Sequence, residues 1–369
     1  MCSRRAFGQY AGFVVGCIDW IAQSVAIAYL AVAFAEFAAQ LQPALHGYAK
    51  VVSVACVSVL TLLNWVGLRA GSRIQELTTL IKAVALIAFV VACFAISPRV
   101  LPDGVSLPAS LAVPQGGLLL AVVLALQAVI ITYDGWYFAI YFTEEDNDPA
   151  RNLPRSSLVG VLACIAVYVL VNMALLHVLP MNKLAASEVP VADAAMAIFG
   201  SRGQQFILIL AMVTVISALN ATLLLSCRIL FGMARDGFLS GWVASVNSGG
   251  TPSAALLLIA LASIALVLSG GYEKLIGMSS FLVVVLYLSG FCSLISLRVR
   301  EPDLPRPFKA WGYPWVNLGV LVASVAFLVA TIVSDLKDAA FTLILIVLSY
   351  PVYLLIVKAK RRRPDQPIL

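Results

Sequence analysis

The sequence predicts an all-α integral membrane protein with about ten transmembrane helices. Of the 369 residues, 62% are hydrophobic and only 11% are charged, whereas about 25% of the residues in a soluble domain are charged. The hydrophobic residues form long runs, and nearly all of these can cross about 30 Å of hydrocarbon. Helices are expected because lipid offers the backbone no hydrogen-bond partners.

Ten apolar segments follow one another along the chain. The first is too long for the core of a signal peptide, the third contains Lys82, and the fourth is interrupted near residues 132–135. The segments cover approximately residues 8–40, 50–66, 75–97, 117–143, 156–180, 203–232, 253–270, 273–297, 314–334 and 337–357.

The distribution of basic residues predicts the orientation. If the N-terminus lies in the cytosol, seventeen Lys and Arg residues fall in inner loops and ends, six fall in outer loops, and Lys82 completes the 24. Inner loops of membrane proteins carry the excess of Lys and Arg. We therefore expect a multi-pass protein of the plasma (cytoplasmic) membrane with both termini in the cytosol. These basic loops, which lie beside membrane lipid, explain the net charge of +6. We therefore expect no nucleic-acid partner.

The sequence lacks the motifs of common catalytic and metal sites. It contains no GxxxxGK[ST] phosphate loop, no HExxH and no GxSxG, each of which carries a specific chemistry. The seven cysteines are scattered singly, and the only histidines are His46 and His177. We therefore predict that the protein is not an enzyme and has no catalytic residue, metal site or cofactor.

One stretch places polar residues inside an apolar run. Residues 127–156 read QAVIITYDGWYFAIYFTEEDNDPARNLPRS, with Tyr133, Asp134, Gly135 and Trp136 in the fourth segment. Glycine costs a helix interior about 1 kcal/mol relative to alanine, and aspartate at the centre of a membrane helix costs about 2.5–3.5 kcal/mol. These residues predict a broken helix, whose free backbone groups can hold the charged parts of a small solute within the bilayer.

The broken helix has local consequences. Backbone hydrogen bonding is expected to fail at residues 132–135 and to resume by about Tyr137. Residues 145–155 are expected in the cytosol, with Pro149 and Pro154 stopping the helix.

Two interpretations remain open for the side chains at the interruption. Asp134 either contacts a solute or caps the second half-helix. Tyr133 and Trp136 either line a pocket or pack as ordinary aromatic residues.

Four stretches of the sequence carry a family resemblance. They are YDGW followed by FTEEDNDPARNLPRS, NATLLLSCRILFGMARDGFL (residues 220–239), LRVREPDLPRPFKAWGYPW (297–315) and AGSRIQELTTLIKAVALIAF (70–89). In this order they resemble the sixth helix with its following loop, the eighth helix, the loop before the eleventh helix and the fifth helix of one family. That family is the amino acid–polyamine–organocation permeases, especially the L-amino-acid transporter branch.

The resemblance implies a fold of twelve helices, of which the first ten form two inverted repeats of five. Because RRAFGQYAGFVVG resembles the approach to the family's third helix, we expect an N-terminally shortened version of this fold. The first family helix, which is also broken and holds the substrate carboxylate, would then be absent. A second departure is Ile131, which stands where many members carry an aromatic gate.

The resemblance also implies an activity, namely sodium-independent exchange or secondary active transport of L-amino acids. The backbone carbonyls of residues 131–133 are expected to meet the substrate ammonium, and Ala28 is expected to lie opposite them. The alternative is a ten-helix remnant that does not transport, or a membrane interaction partner. Which amino acid is carried and the oligomeric state stay open. The expected substrate-binding residues are Ile131, Thr132, Tyr133, Asp134, Gly135, Trp136 and Ser24.

Lys82 is the only basic residue within a predicted crossing. Its ammonium either reaches the inner interface along its apolar stem or stays inside the protein. The resemblance favours the second interpretation, since a lysine of several sodium-independent members stands at this place in the fifth helix. It would then replace a sodium ion, or carry a proton, and point toward Thr214 and Ser217.

Overall fold

All the regular elements in the described part of the chain are helical. The computed structural model describes residues 2–66, 71–96, 117–187, 189–306, 308 and 311–334, with scattered positions between 340 and 354. The α-helices are α1 (Cys2–Phe7), α2 (Gln9–Leu41), α3 (Ala49–Val66), α4 (Gly71–Ala95), α5 (Gly117–Tyr133), α6 (Pro149–Val178), α7 (Met181–Ala186), α8 (Pro190–Phe199), α9 (Ser201–Arg235), α10 (Ser253–Ser269), α11 (Tyr272–Arg300) and α12 (Trp315–Ser334). Three 3-10 helices cover Pro43–Tyr48, Phe138–Glu145 and Gly241–Ala244.

The predicted all-α membrane fold is confirmed. Nine of the ten predicted segments coincide with α2, α3, α4, α5 plus its continuation, α6, α9, α10, α11 and α12. Most of the tenth, residues 337–357, lies outside the described residues, as does the basic C-terminal end. Among the described residues, seven helices are long and apolar enough to cross a membrane: Gln9–Leu41, Pro43–Trp65, Gly117–Tyr141, Pro149–Val178, Ser201–Arg235, Tyr272–Arg300 and Trp315–Val333.

Helix α2 occupies the centre of the molecule. It packs against α1, α3, α9, α10 and α11. Ala28 and Ala31 have no exposed surface, and Ala22 is 1% exposed. Small side chains of this kind let neighbouring membrane helices approach closely, so the alanine-rich sequence of α2 explains its central position.

The short helix α8 was not predicted. Pro190 stands in its first turn, where the missing N–H costs nothing, and Gly200 separates it from α9. Its alanines are buried, including Ala194 and Ala195, and form a second hydrophobic cluster with residues of α4, α6 and α9. The sequence pattern missed α8 because ten residues cannot span a bilayer.

The predicted interruption of the fourth segment is present. Helix α5 ends at Tyr133, a turn covers residues 134–137, and a 3-10 helix runs over Phe138–Glu145. We call residues 134–137 the break and Phe138–Glu145 the 3-10 segment. Gly135 has a φ of 105°, which glycine adopts without a Cβ penalty. The chain therefore continues past the break as a 3-10 helix, and not as the second α-half-helix that we expected.

The prediction for the two prolines is wrong. Pro149 begins α6, and Pro154 lies inside the same helix. A proline at the first helical position needs no hydrogen-bond donor. Pro154 stands so near the start of α6 that only one further backbone bond is removed. The helix consequently begins at Pro149, seven residues before the predicted segment.

Candidate functional site

The backbone carbonyls at the carboxyl end of α5 are only partly hydrogen-bonded. The amide of Asp134 donates to the carbonyl of Ile131 at 3.2 Å, and the Tyr168 hydroxyl donates to the carbonyl of Thr132 at 2.9 Å. Within the described residues, no backbone N–H outside the helix donates to the carbonyl of Tyr133. Each carbonyl oxygen has two lone pairs, so all three can still accept a bond from a solute.

Asp134 is held by a distant helix. Its Oδ1 accepts a hydrogen bond of 2.7 Å from the hydroxyl of Tyr287 on α11. The N-cap of the 3-10 segment is Tyr137, and no side chain caps it. The structure therefore does not give Asp134 the capping role that was one of the two interpretations.

Aromatic rings surround the break. The ring of Trp136 lies 5.5 Å from that of Tyr287 and 5.8 Å from that of Tyr137, between centroids. On the other side, the ring of Tyr133 meets Tyr168 edge-on at 4.9 Å. Trp136 is 44% exposed and Tyr133 is 37% exposed, so the described residues cover neither ring completely.

Helix α2 contacts the break and the 3-10 segment through two polar side chains. The Nε2 of Gln23 donates to the hydroxyl of Tyr137 at 3.3 Å, and the hydroxyl of Tyr141 donates to Oδ2 of Asp19. Ser24, the predicted residue on this helix, is buried, and its hydroxyl donates to the carbonyl of Trp20. The neighbouring Ala28 is fully buried in the core.

Sequence reasoning missed six members of this polar cluster. An acid in the first apolar segment was a signal for Asp19, comparable to the signal used for Asp134. No local pattern distinguished the tyrosines, since each becomes informative only through a partner on another element. The missed residues are Asp19, Gln23, Tyr137, Tyr141, Tyr168 and Tyr287.

Lys82 lies at a contact between α4 and α9. Its Nζ donates to Oγ of Ser217 at 3.0 Å, and Ser217 is only 7% exposed. The hydroxyl of Thr214 donates to the carbonyl of Leu210 on its own helix. The structure thus brings Lys82 together with Ser217, while the hydroxyl proton of Thr214 is used within α9.

Residues 1–356 match the family model described as amino acid permease. The chain is 28% identical over 355 residues to the serine/threonine exchanger SteT of Bacillus subtilis (strain 168), which covers 95% of this chain and 79% of that protein.

Two mammalian relatives have about the same sequence identity to this chain. Identity is 28% over 369 residues to the Asc-type amino acid transporter 1 of Mus musculus, covering 95% of this chain and 66% of that protein. It is 27% over 277 residues to the large neutral amino acids transporter small subunit 2 of Homo sapiens, covering 70% of this chain. That alignment spans 49% of the human protein, about half of its length.

Proposed function

The chain belongs to the amino acid permease family, and we propose that it carries L-amino acids across the plasma membrane by exchange or secondary active uptake. The relatives' names support neutral substrates, because one is a serine/threonine exchanger and another is a subunit of a large neutral amino acids transporter. We place both termini in the cytosol, since the basic residues concentrate in the loops on that side.

The break is the observation that carries this proposal. Helix α5 ends inside an apolar segment, and the carbonyls of Ile131, Thr132 and Tyr133 lie at its carboxyl end. A helix carboxyl end has the negative end of the helix dipole and attracts cations. The ammonium of an amino acid would therefore bind these carbonyls, as solutes do at interrupted helices of secondary transporters. The carboxylate of Asp134, one residue later, adds to the same attraction.

The side-chain space of the substrate would lie beside Ile131 and Trp136. Both carry surface that is not buried, and Trp136 stacks obliquely on Tyr287. An apolar and aromatic wall favours an uncharged substrate side chain, because burying an unpaired charge is costly. Gly135 completes the site by allowing the backbone turn between the two halves.

Lys82 would replace a sodium ion in this transporter. A fixed ammonium that donates to Ser217 on α9 can join α4 and α9 as a bound cation would. The 3.0 Å contact supports this role over extension of the side chain to the inner interface. Transport by the protein would then need no sodium.

The experiment is an exchange assay with purified protein in proteoliposomes. Vesicles are loaded with unlabelled serine, threonine or leucine, and uptake of the labelled amino acid is followed in sodium-free buffer. We expect uptake that saturates and is faster into loaded than into empty vesicles, or uptake driven by an ion gradient without sodium. Absence of protein-dependent uptake for every amino acid tested would contradict the proposal, and a sodium requirement would contradict the role of Lys82.

A further inference from the structure

Asp19 is a buried acid whose role the proposed substrate site does not explain. It lies about 15 Å along α2 from Gln9, at the usual helical rise per residue. Its side chain is 7% exposed. Ionised carboxylates inside membrane proteins are costly and are usually paired, so the surroundings of Asp19 should show what balances its charge.

The hydrogen bonds of Asp19 are incomplete. Its Oδ2 accepts one bond from the hydroxyl of Tyr141. Its Oδ1 is buried and has no hydrogen-bond partner among the described residues, and the same holds for Oε1 of Gln23. Gln23 stands four residues later on α2, which places the two side chains on the same face. Buried polar atoms are normally satisfied, and two adjacent acceptors without a donor suggest a missing proton.

No cation in the described part of the chain balances Asp19. The groups that act on its carboxyl are Tyr141 of the 3-10 segment, Gln23 of α2, and Tyr137 and Asp134 of the break. Asp134 carries charge of the same sign, which opposes a second negative charge nearby. No ion pair in the described part of the chain joins Asp19 to a basic residue of the helices packed against α2. These basic residues are Arg4, Arg5, Lys50, Arg202, Arg228, Arg235, Lys274, Arg298 and Arg300.

The two acids at this site differ in their surroundings. Asp134 is partly exposed and accepts a hydrogen bond from Tyr287. Asp19 is more deeply buried and accepts a hydrogen bond from Tyr141. Two neighbouring carboxyls in different surroundings separate into one that ionises and one that keeps a proton. The better solvated Asp134 is the one suited to the charge.

We propose that Asp19 is a proton-binding site and that it holds a proton on Oδ1 in this conformation. A protonated carboxyl is a donor, and its proton would be given to Oε1 of Gln23. This single proton satisfies both buried acceptors and removes the unbalanced charge. The ligand of the site is thus a proton, bound between α2 and the 3-10 segment.

The same site would couple the proton to movement of the broken helix, a step that rests on the proposed transport function. Tyr137 of the break is held by Gln23 of α2, and Tyr141 of the 3-10 segment is held by Asp19 of α2. An ionised carboxylate accepts a stronger bond from a hydroxyl than a neutral carboxyl does. Loss of the proton would therefore strengthen the hydrogen bond between Tyr141 and Asp19 of α2. Oε1 of Gln23 would then be able to accept a bond from another donor.

Infrared difference spectroscopy of the purified protein in nanodiscs tests the proton site without any transport assay. The wild type should show the C=O stretching band of a protonated carboxylic acid, and this band should disappear as the pH is raised. Asp19→Asn should remove the band, whereas Asp134→Asn should retain it. Asparagine still accepts the bond from Tyr141, so Asp19→Asn should fold, and its melting temperature verifies this.

A second variant should shift the pH at which the band disappears in a known direction. Tyr141→Phe removes the donor that stabilises the ionised form, so the band should persist to higher pH than in the wild type. A band that survives in Asp19→Asn, a band that disappears only in Asp134→Asn, or no band at all would each overturn the proposal. The last result would mean that the amide of Gln23 faces Asp19 with its NH₂ group and that the carboxyl is ionised.

The coupling step is measured separately from the proton site. In proteoliposomes, an inward proton gradient should accelerate amino acid uptake by the wild type at least threefold, and Asp19→Asn should lose this acceleration while exchange continues. Retained acceleration in Asp19→Asn would overturn the coupling. Absence of amino acid transport in the wild type, with the infrared band present, would contradict the proposed function and leave the proton site standing.

Discussion

Gly135 is the residue on which the broken helix depends most directly. Its φ of 105° is unfavourable for any residue with a Cβ. A Cβ built at this position lies 3.4 Å from the ring of Phe138, which is an ordinary contact distance. The cost of Gly135→Ala should therefore come from the backbone conformation more than from a steric clash.

The size of the effect follows from two contributions. A non-glycine residue in a sparsely populated φ region costs about 1–3 kcal/mol, and alanine favours a continuous helix over glycine by about 1 kcal/mol. Both oppose the break, so the sum is about 2–4 kcal/mol. Because about 1.4 kcal/mol corresponds to a tenfold change in an equilibrium, uptake at low substrate concentration should fall at least about tenfold.

The assay is initial uptake of labelled amino acid by Gly135→Ala in proteoliposomes, with the amount of inserted protein measured in parallel. The matched control is Gly160→Ala on α6, where the helix is regular and, apart from the adjacent helix backbone, no atom of the described residues lies within 4 Å of the new Cβ. We expect the control to transport like the wild type. Equal uptake by wild type and Gly135→Ala, at equal insertion, would refute the reasoning about the break.

Three further predictions concern single side chains. Lys82→Ala should lower sodium-independent uptake about tenfold or more, since a hydrogen bond from a charged group contributes about 1.5–3 kcal/mol; uptake in sodium-free buffer measures this. Tyr287→Phe removes the donor to Asp134 and should raise the KM for the amino acid by a similar factor, measured from initial rates. Arg5→Gln breaks the ion pair with Glu301, in which the Arg5 side chain is 56% exposed. Because the pair is exposed, the free energy of unfolding should change by no more than about 1 kcal/mol, measured by thermal unfolding.

Each of these variants has a control or an opposing result. Lys183→Ala, in the short helix α7, controls for loss of a lysine, and a wild-type rate in Lys82→Ala would argue for a lysine that merely reaches the interface. Tyr48→Phe controls for loss of a hydroxyl at a site that is 61% exposed, and an unchanged KM in Tyr287→Phe would separate Asp134 from substrate binding. Abolished folding in Arg5→Gln would show that α1 is held more tightly than its exposed ion pairs indicate.

The position of the break could be predicted because its causes are local. An acid and a glycine beside each other in an apolar run disfavour a continuous helix whatever surrounds them. The form of the continuation could not be predicted, since the 3-10 segment is held by partners on α2. Tyr141 reaches Asp19 across 122 positions of sequence, and Tyr287 reaches Asp134 across 153. Such pairs depend on helix packing, which periodicity along one segment does not encode.

The prolines and Ser24 show two other limits of the sequence. A proline can begin a helix as readily as end one, and only the position of the first turn of α6 distinguishes these outcomes for Pro149. The direction of Ser24 depends on the rotation of α2 about its axis. That rotation turns Gln23 toward Tyr137 and leaves the Ser24 hydroxyl on the carbonyl of Trp20. In contrast, the family resemblance predicted that Lys82 points toward Ser217. The structure places Oγ of Ser217 3.0 Å from Nζ of Lys82.

Equilibrium binding of a labelled amino acid to purified protein tests the central claim, that the break forms the substrate site, most directly. Binding is measured for the wild type, Gly135→Leu and the control Gly160→Leu, whose position on α6 has no other element of the described chain within 4 Å of a Cβ. The account predicts saturable binding by the wild type and the control, and loss of binding in Gly135→Leu despite normal membrane insertion. Undiminished affinity in Gly135→Leu would contradict it, because the amino acid would then bind elsewhere in the protein.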